Sequence, residues 1–179
     1  MSAVSRPTIA TDSAPSPAAG TAWPTSWQTL AQGVSVGRYT DPEFARLEFA
    51  GLWSRVWQVA ARVDEIPQPG DYTTYKIGDQ SILVVRVDAS TIKTYHNFCP
   101  HRGTTLGDGC GHFDGGKIIC PYHGWRWDLA GNIKLVLERQ EFCGGKLQDS
   151  DVAMREVHSR VFAGFVFINL DPNPESFDD

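Results

Sequence analysis

The stretch Cys-Pro-His-Arg-Gly at residues 99–103, followed by Cys-Pro-Tyr-His-Gly-Trp at residues 120–125, decides the fold and the chemistry of this chain. Each stretch supplies one thiolate and one imidazole, which are ligands for transition metals. A [2Fe-2S] cluster is usually held by four cysteines, but two histidines can replace two cysteines on one of the irons. The pattern therefore predicts a histidine-ligated [2Fe-2S] cluster held by Cys99, His101, Cys120 and His123.

Neutral imidazoles in place of two thiolates change the charge of such a cluster. Two ferric ions, two sulfides and two thiolates sum to zero, whereas four thiolates leave two negative charges. A neutral cluster accepts an electron more readily, so its reduction potential lies above that of plant-type ferredoxins. Each histidine also keeps a second ring nitrogen that can donate a hydrogen bond or titrate. The motif therefore predicts electron transfer.

A structural zinc site is the alternative, because two cysteines and two histidines also make a tetrahedral zinc shell. Zinc modules generally pair like ligands in short hooks, whereas each stretch here mixes one cysteine with one histidine. A proline follows each cysteine, and Gly103 and Gly124 follow the two histidine segments. These residues suit tight loops whose backbone approaches inorganic sulfide. The spacing favours the cluster over zinc.

Length, hydrophobic content and charge limit the number of domains and the classes of binding partner. The chain has 179 residues, of which 41% are hydrophobic, enough for one core but short for two complete domains. Its net charge of -5 offers no basic patch for nucleic acid, and no apolar run approaches the ~18 residues of a membrane span. Residues 1–27 lack the order of a secretory signal. We therefore expect a cytoplasmic protein that binds neither nucleic acid nor a membrane.

A helix is predicted after Thr40-Asp-Pro-Glu43, which offers a capping residue, a proline for the first turn and a glutamate three residues after Thr40. The predicted helix covers residues 42–57. Its apolar side chains recur at helical spacing, which predicts one stripe that packs on the core. The stripe is formed by Phe49, Leu52, Trp53 and Val56.

From residue 57 onward, the pattern changes to period two, with β-branched and aromatic residues between turn signals. This predicts a mostly antiparallel β domain with one N-terminal helix. The predicted strands cover residues 71–77, 81–87, 92–97, 117–119, 125–128 and 162–170.

Five segments resemble the alpha subunit of Rieske non-heme iron oxygenases, the aromatic-ring-hydroxylating enzymes. They are Leu52-Trp-Ser-Arg-Val-Trp57, Pro69-Gly-Asp-Tyr72, Asn97-Phe-Cys-Pro-His-Arg-Gly-Thr104, Cys120-Pro-Tyr-His-Gly-Trp-Arg-Trp127 and Gly164-Phe-Val-Phe-Ile-Asn-Leu-Asp171. In that family such segments form an N-terminal Rieske domain. The resemblance implies a Rieske-type antiparallel β-sandwich with a two-loop cluster-binding subdomain.

The same resemblance implies a domain division. Residues 1–38 are expected to be a disordered or extended segment. Residues 39–172 are the Rieske [2Fe-2S] domain with its N-terminal helix. Residues 173–179 are a linker toward a catalytic domain that lies outside this sequence.

In the family, the cluster passes electrons to a mononuclear non-heme Fe(II), held by two histidines and a carboxylate, where O2 hydroxylates the substrate. That iron belongs to the catalytic domain, so no catalytic residue is assigned in this chain. Aromatic hydrocarbons, aromatic acids, amines and quaternary ammonium compounds all remain open as substrates, with aromatic compounds as the default. The family also implies a ferredoxin or flavin reductase as electron donor. The receiving iron usually lies in a neighbouring subunit of a homotrimer or alpha-beta hexamer. His123 is the candidate for contact with that site through a bridging carboxylate, with His101 as the alternative.

Three residues beside the ligands are further candidates. Trp125, like Trp127, either covers the cluster and faces a partner or packs within a strand. Arg102 either contacts a partner or pins its loop through backbone carbonyls. Tyr122 stands where the Rieske proteins of cytochrome complexes carry a disulfide-forming cysteine, so we expect no disulfide here.

The remaining cysteines and two of the histidines have plainer interpretations. Cys110 and Cys143 are expected to be ordinary loop thiols. His112 and His158 are expected to be surface or hydrogen-bonded histidines.

A stand-alone Rieske-type ferredoxin, carrying electrons between a reductase and a separate oxygenase, is the alternative function. The predicted helix favours the oxygenase, because such ferredoxins generally begin directly at the strands. The coding sequence beyond Asp179 would distinguish the two. A stop codon would favour the carrier, and an Asp-x2-His-x4-His run would favour the oxygenase.

Overall fold

Residues 34–178 are described by the computed structural model, so most of the predicted N-terminal segment 1–38 lies outside the described residues. The chain divides between Phe49 and Ala50 into two compact units. The first contains α1 (Gly37–Thr40) and α2 (Pro42–Glu48). Asp41, and not Thr40, caps α2: its carboxylate accepts a hydrogen bond from the Glu43 N–H at 2.9 Å. Thr40 instead ends α1, so the predicted capping residue is wrong, whereas the predicted start of the helix at Pro42 is confirmed.

The predicted helix over residues 42–57 is wrong at its C-terminal end. After α2 the backbone widens into a π-helix, Phe49–Trp53, and regular structure resumes only at β1 (Gln58–Arg62). The Ser54 hydroxyl donates back to the Ala50 carbonyl, a contact that competes with regular helical bonding. Because the helix stops early, the apolar stripe is not continuous. Leu52 and Trp53 are exposed, so the predicted core packing is wrong for both.

Within residues 34–178, ten strands form three antiparallel sheets, which confirms the predicted mostly β fold. The first sheet has the order β1, β10 (Phe165–Asn169) and β9 (His158–Phe162). The second has the order β4 (Ile92–His96), β3 (Gln80–Arg86), β2 (Asp71–Ile77) and β5 (Cys110–His112). The third has the order β6 (Lys117–Ile119), β7 (Arg126–Asp128) and β8 (Ile133–Leu135).

The predicted strands 71–77 and 117–119 are confirmed as β2 and β6. Those at 92–97 and 125–128 differ from β4 and β7 by one residue at one end, and that at 81–87 differs from β3 by one residue at each end. The prediction of one strand over residues 162–170 is wrong. The chain turns at Ala163 and Gly164, whose φ angles of 48° and 82° are left-handed, and Phe162 pairs with Phe165. The apolar run therefore spans a hairpin. Strands β1, β5 and β8 had no counterpart among the predictions, and β9 overlaps a predicted strand only at Phe162.

Strand β3 lies between two layers, which explains why its second half is buried on both faces. Leu83 and Val85 belong to the larger core, which also contains the cysteine and tryptophan side chains of the two loops. Val84 packs with Val166 in the core of the first sheet. The first loop, residues 99–104, thus follows β4 of the second sheet, and the second loop, residues 120–125, connects β6 and β7 of the third sheet. Side chains of both loops share one core with Leu83 and Val85.

The end of the chain contacts the first sheet. The Trp57 indole N–H donates to the Glu175 carbonyl at 3.0 Å, and the Phe177 ring lies 4.8 Å from that of Phe167 and 5.7 Å from that of Phe162, centroid to centroid. The expected linker at 173–179 thus makes packing contacts over its described part. Within residues 34–178, no helix has both the length and the apolar character needed to cross a membrane.

Candidate metal centre

The two predicted loops are closed by the same pair of backbone hydrogen bonds. In the first, the Cys99 N–H donates to the Thr104 carbonyl at 2.8 Å and the Gly103 N–H donates to the Cys99 carbonyl at 2.8 Å. In the second, the Cys120 N–H donates to Trp125 at 2.9 Å and the Gly124 N–H to Cys120 at 3.0 Å. The glycines have left-handed φ angles of 71° and 67°, which ordinary side chains disfavour. The left-handed φ angles explain why a glycine follows the histidine segment of each loop.

The loops bring the two cysteine side chains together in the core. Cys99 and Cys120 are both buried, and their thiols are in hydrogen-bonding contact. Burial raises the pKa of the Cys99 thiol to about 11, and the neighbouring Cys120 acts in the same direction. The N–H groups of His101 and Arg102 donate to the Cys99 sulfur and partly oppose that pKa shift. A cation must therefore replace the protons if both sulfurs are to be thiolates.

The two histidine rings lie beside each other with their centroids 4.6 Å apart. Each buries its Nδ1 atom without a hydrogen-bond partner among the described residues. Burial lowers the pKa of His101, and the charges of His123 and Arg102 lower it further. A buried polar atom without a partner is unfavourable, so an inward-facing pair of them indicates a missing ligand. Two ring nitrogens and two thiols form a donor set for iron.

This donor set fits a cluster of two irons better than one metal ion. Across residues 34–178, no three His, Cys, Asp or Glu side chains are arranged to hold a single ion. A tetrahedral zinc shell requires four converging ligands, whereas in a histidine-ligated [2Fe-2S] cluster each iron takes only two from the protein. The residues present therefore fit the cluster, with one thiol and one imidazole from each loop.

Trp125 covers one histidine. It is buried, and its indole is stacked on the His101 ring at 4.8 Å with the planes 5° apart. It therefore lies against a predicted ligand and does not face a partner. Trp127 packs within strand β7, fully buried, where its indole N–H donates to the Val152 carbonyl at 2.8 Å. Of the two interpretations offered by the sequence, covering the cluster fits Trp125 and strand packing fits Trp127.

The other two candidates lie on the outside of the loops. The Tyr122 ring is stacked on that of His123 at 3.9 Å and is exposed. Arg102 is also exposed, and its guanidinium makes no hydrogen bond or ion pair within the part of the chain that the structure describes. The pinning of backbone carbonyls considered for Arg102 is therefore not observed, and its backbone N–H contacts the Cys99 sulfur instead.

One neighbour of the site was missed at the level of sequence. The Phe142 ring lies 5.4 Å from the rings of both His101 and Trp125, nearly perpendicular to each. It belongs to a segment of short turns between β8 and α3 (Asp149–Val152). No motif marks this phenylalanine, because the contact depends on how that segment folds over the loops.

The remaining candidates lie apart from the ligands. His112 is exposed with Nδ1 2.8 Å from the Asp71 carboxylate, and His158 is exposed with Nε2 3.3 Å from the Pro172 carbonyl, which confirms the expectation for both. Cys143 lies in an exposed turn, as expected. Cys110 is exposed but belongs to β5, so its prediction as a loop residue is wrong.

Comparisons with known proteins agree with this geometry. The model of the Rieske [2Fe-2S] domain matches residues 56–148, more than half of the chain. The glycine betaine monooxygenase oxygenase subunit of Chromohalobacter salexigens is 35% identical over 147 residues, covering 79% of this chain and 31% of the relative. The carnitine monooxygenase oxygenase subunit of Escherichia coli K12 is 35% identical over 142 residues, covering 79% and 37%.

Solved structures show the same relationship. The quaternary ammonium Rieske monooxygenase CntA in complex with L-carnitine matches with a TM-score of 0.72 and 30% identity, over 79% of this chain and 40% of that chain. Naphthalene 1,2-dioxygenase from a Rhodococcus species, bound to indole, matches with a TM-score of 0.70 and 29% identity, over 77% and 31%.

This chain spans about a third of the length of the curated relatives that it matches. The shared part includes both metal-binding loops, because the family model covers residues 56–148. The chain therefore belongs to the Rieske [2Fe-2S] domain family, and the relatives that share this domain with it are oxygenase subunits.

Proposed function

We propose that Cys99, His101, Cys120 and His123 hold the [2Fe-2S] cluster and that the chain serves as the electron-transfer domain of a Rieske oxygenase. The observation that carries this proposal is the pair of buried, unpartnered Nδ1 atoms on His101 and His123 beside two buried thiols. When bound, the cluster supplies reversible one-electron chemistry at a potential above that of plant-type ferredoxins.

The residues around Cys99 support this role electrostatically. The N–H groups of His101 and Arg102 donate to its sulfur, which disperses negative charge at the sulfur atom. Hydrogen bonds to cluster sulfurs are one determinant of the reduction potential. The buried side chains of Cys99, Cys120 and Trp125 exclude water from the inner side of the site. The N–H groups thus stabilise the negative charge that an added electron brings, and the buried side chains limit the access of water to the inner side of the site.

His123 is proposed as the ligand that faces the electron acceptor. Its ring is stacked on Tyr122, which is 59% exposed, whereas the His101 ring is stacked on Trp125, which is 3% exposed. With Nδ1 turned inward, Nε2 carries the proton and can donate to a carboxylate of the partner. The proposed partners are a ferredoxin or flavin reductase as donor, and as acceptor the mononuclear iron of a catalytic domain in a neighbouring subunit.

The substrate class is proposed from the relatives, since the family resemblance places the substrate pocket in the catalytic domain. Glycine betaine and carnitine, which name two of the relatives, are quaternary ammonium compounds. We therefore propose a quaternary ammonium substrate in place of the aromatic default. The oxygenase interpretation is also supported over a stand-alone ferredoxin, because the relatives reported above are oxygenase subunits. The division at residues 39–172 and 173–179 remains a proposal.

The first test is the content of iron, zinc and acid-labile sulfide in anaerobically purified protein, with an electron paramagnetic resonance spectrum after reduction. About two irons and two sulfides per chain, with a rhombic signal of low average g value, are expected for this cluster type. One zinc without sulfide would overturn the proposal. The double variant His101→Ala with His123→Ala is the matched control and should lose the signal.

The second test concerns the substrate and uses the full-length protein that contains this domain, together with a reductase. Oxygen uptake and substrate consumption are compared for L-carnitine, glycine betaine and naphthalene at equal concentrations. Consumption of one or both quaternary ammonium compounds, without consumption of naphthalene, is expected. Hydroxylation of naphthalene alone would restore the aromatic default.

A further inference from the structure

Residues 136–147 lie against the two metal-binding loops although they contain none of the predicted ligands. Val136 is buried and belongs to the same core as Cys99 and Cys120. The Cδ1 atom of Leu137 lies 3.8 Å from the position that a Cβ on Gly124 would occupy, so this segment contacts the second loop directly. The segment is therefore part of the surroundings of the site.

Phe142 is the side chain that this segment directs at a predicted ligand. Its ring meets that of His101 edge-on, with the centroids 5.4 Å and the planes 87° apart, and meets Trp125 at 5.4 Å and 83°. Edge-to-face geometry is the favourable arrangement for such pairs. Because Trp125 is stacked on the His101 ring, the imidazole is held from two directions at once. His123 has its aromatic contact with exposed Tyr122 instead.

The backbone around Phe142 is fixed in an unfavourable conformation. Glu138 and Cys143 have φ angles of 53° and 49°, in the left-handed region that residues other than glycine rarely adopt. Such conformations persist only where the surroundings determine them. Here Arg139 donates through Nη2 to the Leu147 carbonyl at 2.9 Å and pairs with Asp149. The segment is thus held in place from both sides of Phe142.

We propose that Phe142 is a positioning residue for His101. Its ring fixes the orientation of the imidazole against Trp125 and keeps water away from this side of the site. This inference rests on the proposed function, because it requires His101 to be a ligand.

The charge of the cluster predicts the direction in which a substitution of Phe142 changes the reduction potential. A cluster with two thiolates is neutral when oxidised and carries one negative charge when reduced. Water stabilises the charged form more than a phenyl ring does, and the apolar shell of a metal site thereby controls its potential. Opening the site by Phe142→Ala should therefore raise the reduction potential. Phe142→Leu keeps apolar bulk and should change it less.

The experiment compares the wild-type chain with Phe142→Ala, Phe142→Leu and the control Phe162→Ala, which shortens an exposed phenylalanine in the first sheet. The reduction potential is measured by redox titration, and the rate of iron loss is measured with an excess of an iron chelator. We expect Phe142→Ala to raise the potential and to lose iron about tenfold faster, as is typical when groups that orient metal ligands are removed. Phe162→Ala should match the wild type in both measurements.

The outcomes separate this inference from the proposed function. If the wild type binds no iron-sulfur cluster, the proposed function fails. If the wild type binds it but Phe142→Ala leaves both the potential and the rate of iron loss unchanged, only the inference about Phe142 fails. Should Phe142→Ala not fold, Phe142→Leu carries the test through the same two measurements, with a smaller shift. Cys143→Ser should behave as the wild type, which excludes the neighbouring thiol as the cause.

Discussion

The indole of Trp125 lies face to face with the imidazole of His101, with ring centroids 4.8 Å and planes 5° apart. Such a contact restricts rotation of the imidazole about its Cβ–Cγ bond and so fixes the direction of Nδ1. The two metal-binding loops share their backbone hydrogen bonds, yet their histidines have different aromatic neighbours, one buried and one exposed. The two loops therefore have the same backbone hydrogen bonds, but a buried tryptophan is stacked on His101 and an exposed tyrosine is stacked on His123.

Replacement of Trp125 should reduce both stability and iron content. Trp125→Ala leaves a cavity in the larger core and should lower the free energy of unfolding by about 3–5 kcal/mol. Trp125→Phe keeps a stacked ring and should be affected less. Urea unfolding and iron per chain are the measurements. The control is Tyr39→Ala, an aromatic side chain that is 80% exposed and whose loss should change stability by about 0.5 kcal/mol or less. Equal effects at both positions would contradict the assigned contact.

Exchange of His123 for cysteine should retain a cluster but lower its reduction potential. A thiolate in place of a neutral imidazole adds one negative charge, which disfavours electron uptake. Redox titration of His123→Cys against the wild type measures the shift. In the full-length oxygenase the same variant should uncouple turnover, and normal turnover would refute the role of His123. Cys110→Ser, which removes an exposed thiol on β5, should leave the potential unchanged.

Much of this fold could be predicted because its signals are local. Strand β2 follows from alternating side chains between two turns, and the ligand loops follow from cysteine, histidine and glycine spacing alone. The hairpin between Phe162 and Phe165 could not be found in this way. Ala163 and Gly164 give a weak turn signal inside an apolar run, so the run resembles one long strand.

The contacts that depend on tertiary packing could not be predicted from the sequence. Phe142 is separated from His101 by the whole second loop, and no periodicity relates the two. The prediction that Leu52 and Trp53 pack on the core was wrong for a related reason. Helical spacing predicts a buried face only where the helix continues, and here a π-helix ends it.

The ionised carboxylate of Asp71 should stabilise the folded protein at neutral pH, and this contribution should be lost at acid pH, where the carboxylate becomes protonated. Its carboxylate lies 2.8 Å from His112 Nδ1 and accepts a hydrogen bond from the Gln68 N–H at 2.8 Å. The bond to His112 is the largest cause of its lowered pKa, followed by that to Gln68. A group with a depressed pKa stabilises the fold above its unfolded value of 3.8, and this contribution disappears as the pH falls through the folded value.

The test of this pH dependence is Asp71→Asn. At neutral pH the variant should be less stable by about 1 kcal/mol, the cost of one weakened hydrogen-bond pair at a partly exposed site. The difference from the wild type should shrink as the pH falls below about 4, because the wild type then becomes protonated as well. Thermal unfolding midpoints between about pH 6 and pH 3 report the gap. A gap that grows toward acid pH would show that the sign is wrong.

Phe177 decides whether the end of this chain is a free linker or a packed segment. Its ring contacts Trp57 at 5.2 Å, Phe167 at 4.8 Å and Phe162 at 5.7 Å, so it covers apolar side chains of the first sheet. Phe177→Ala should lower the free energy of unfolding by about 1–1.5 kcal/mol, half the value for full burial, and should speed proteolysis after residue 172. Asp178→Asn is the control, since its exposed ion pair with Arg160 contributes little. Identical stability and proteolysis of Phe177→Ala and the wild type would instead support the linker predicted from the sequence, because a free segment loses no packing when its aromatic side chain is removed.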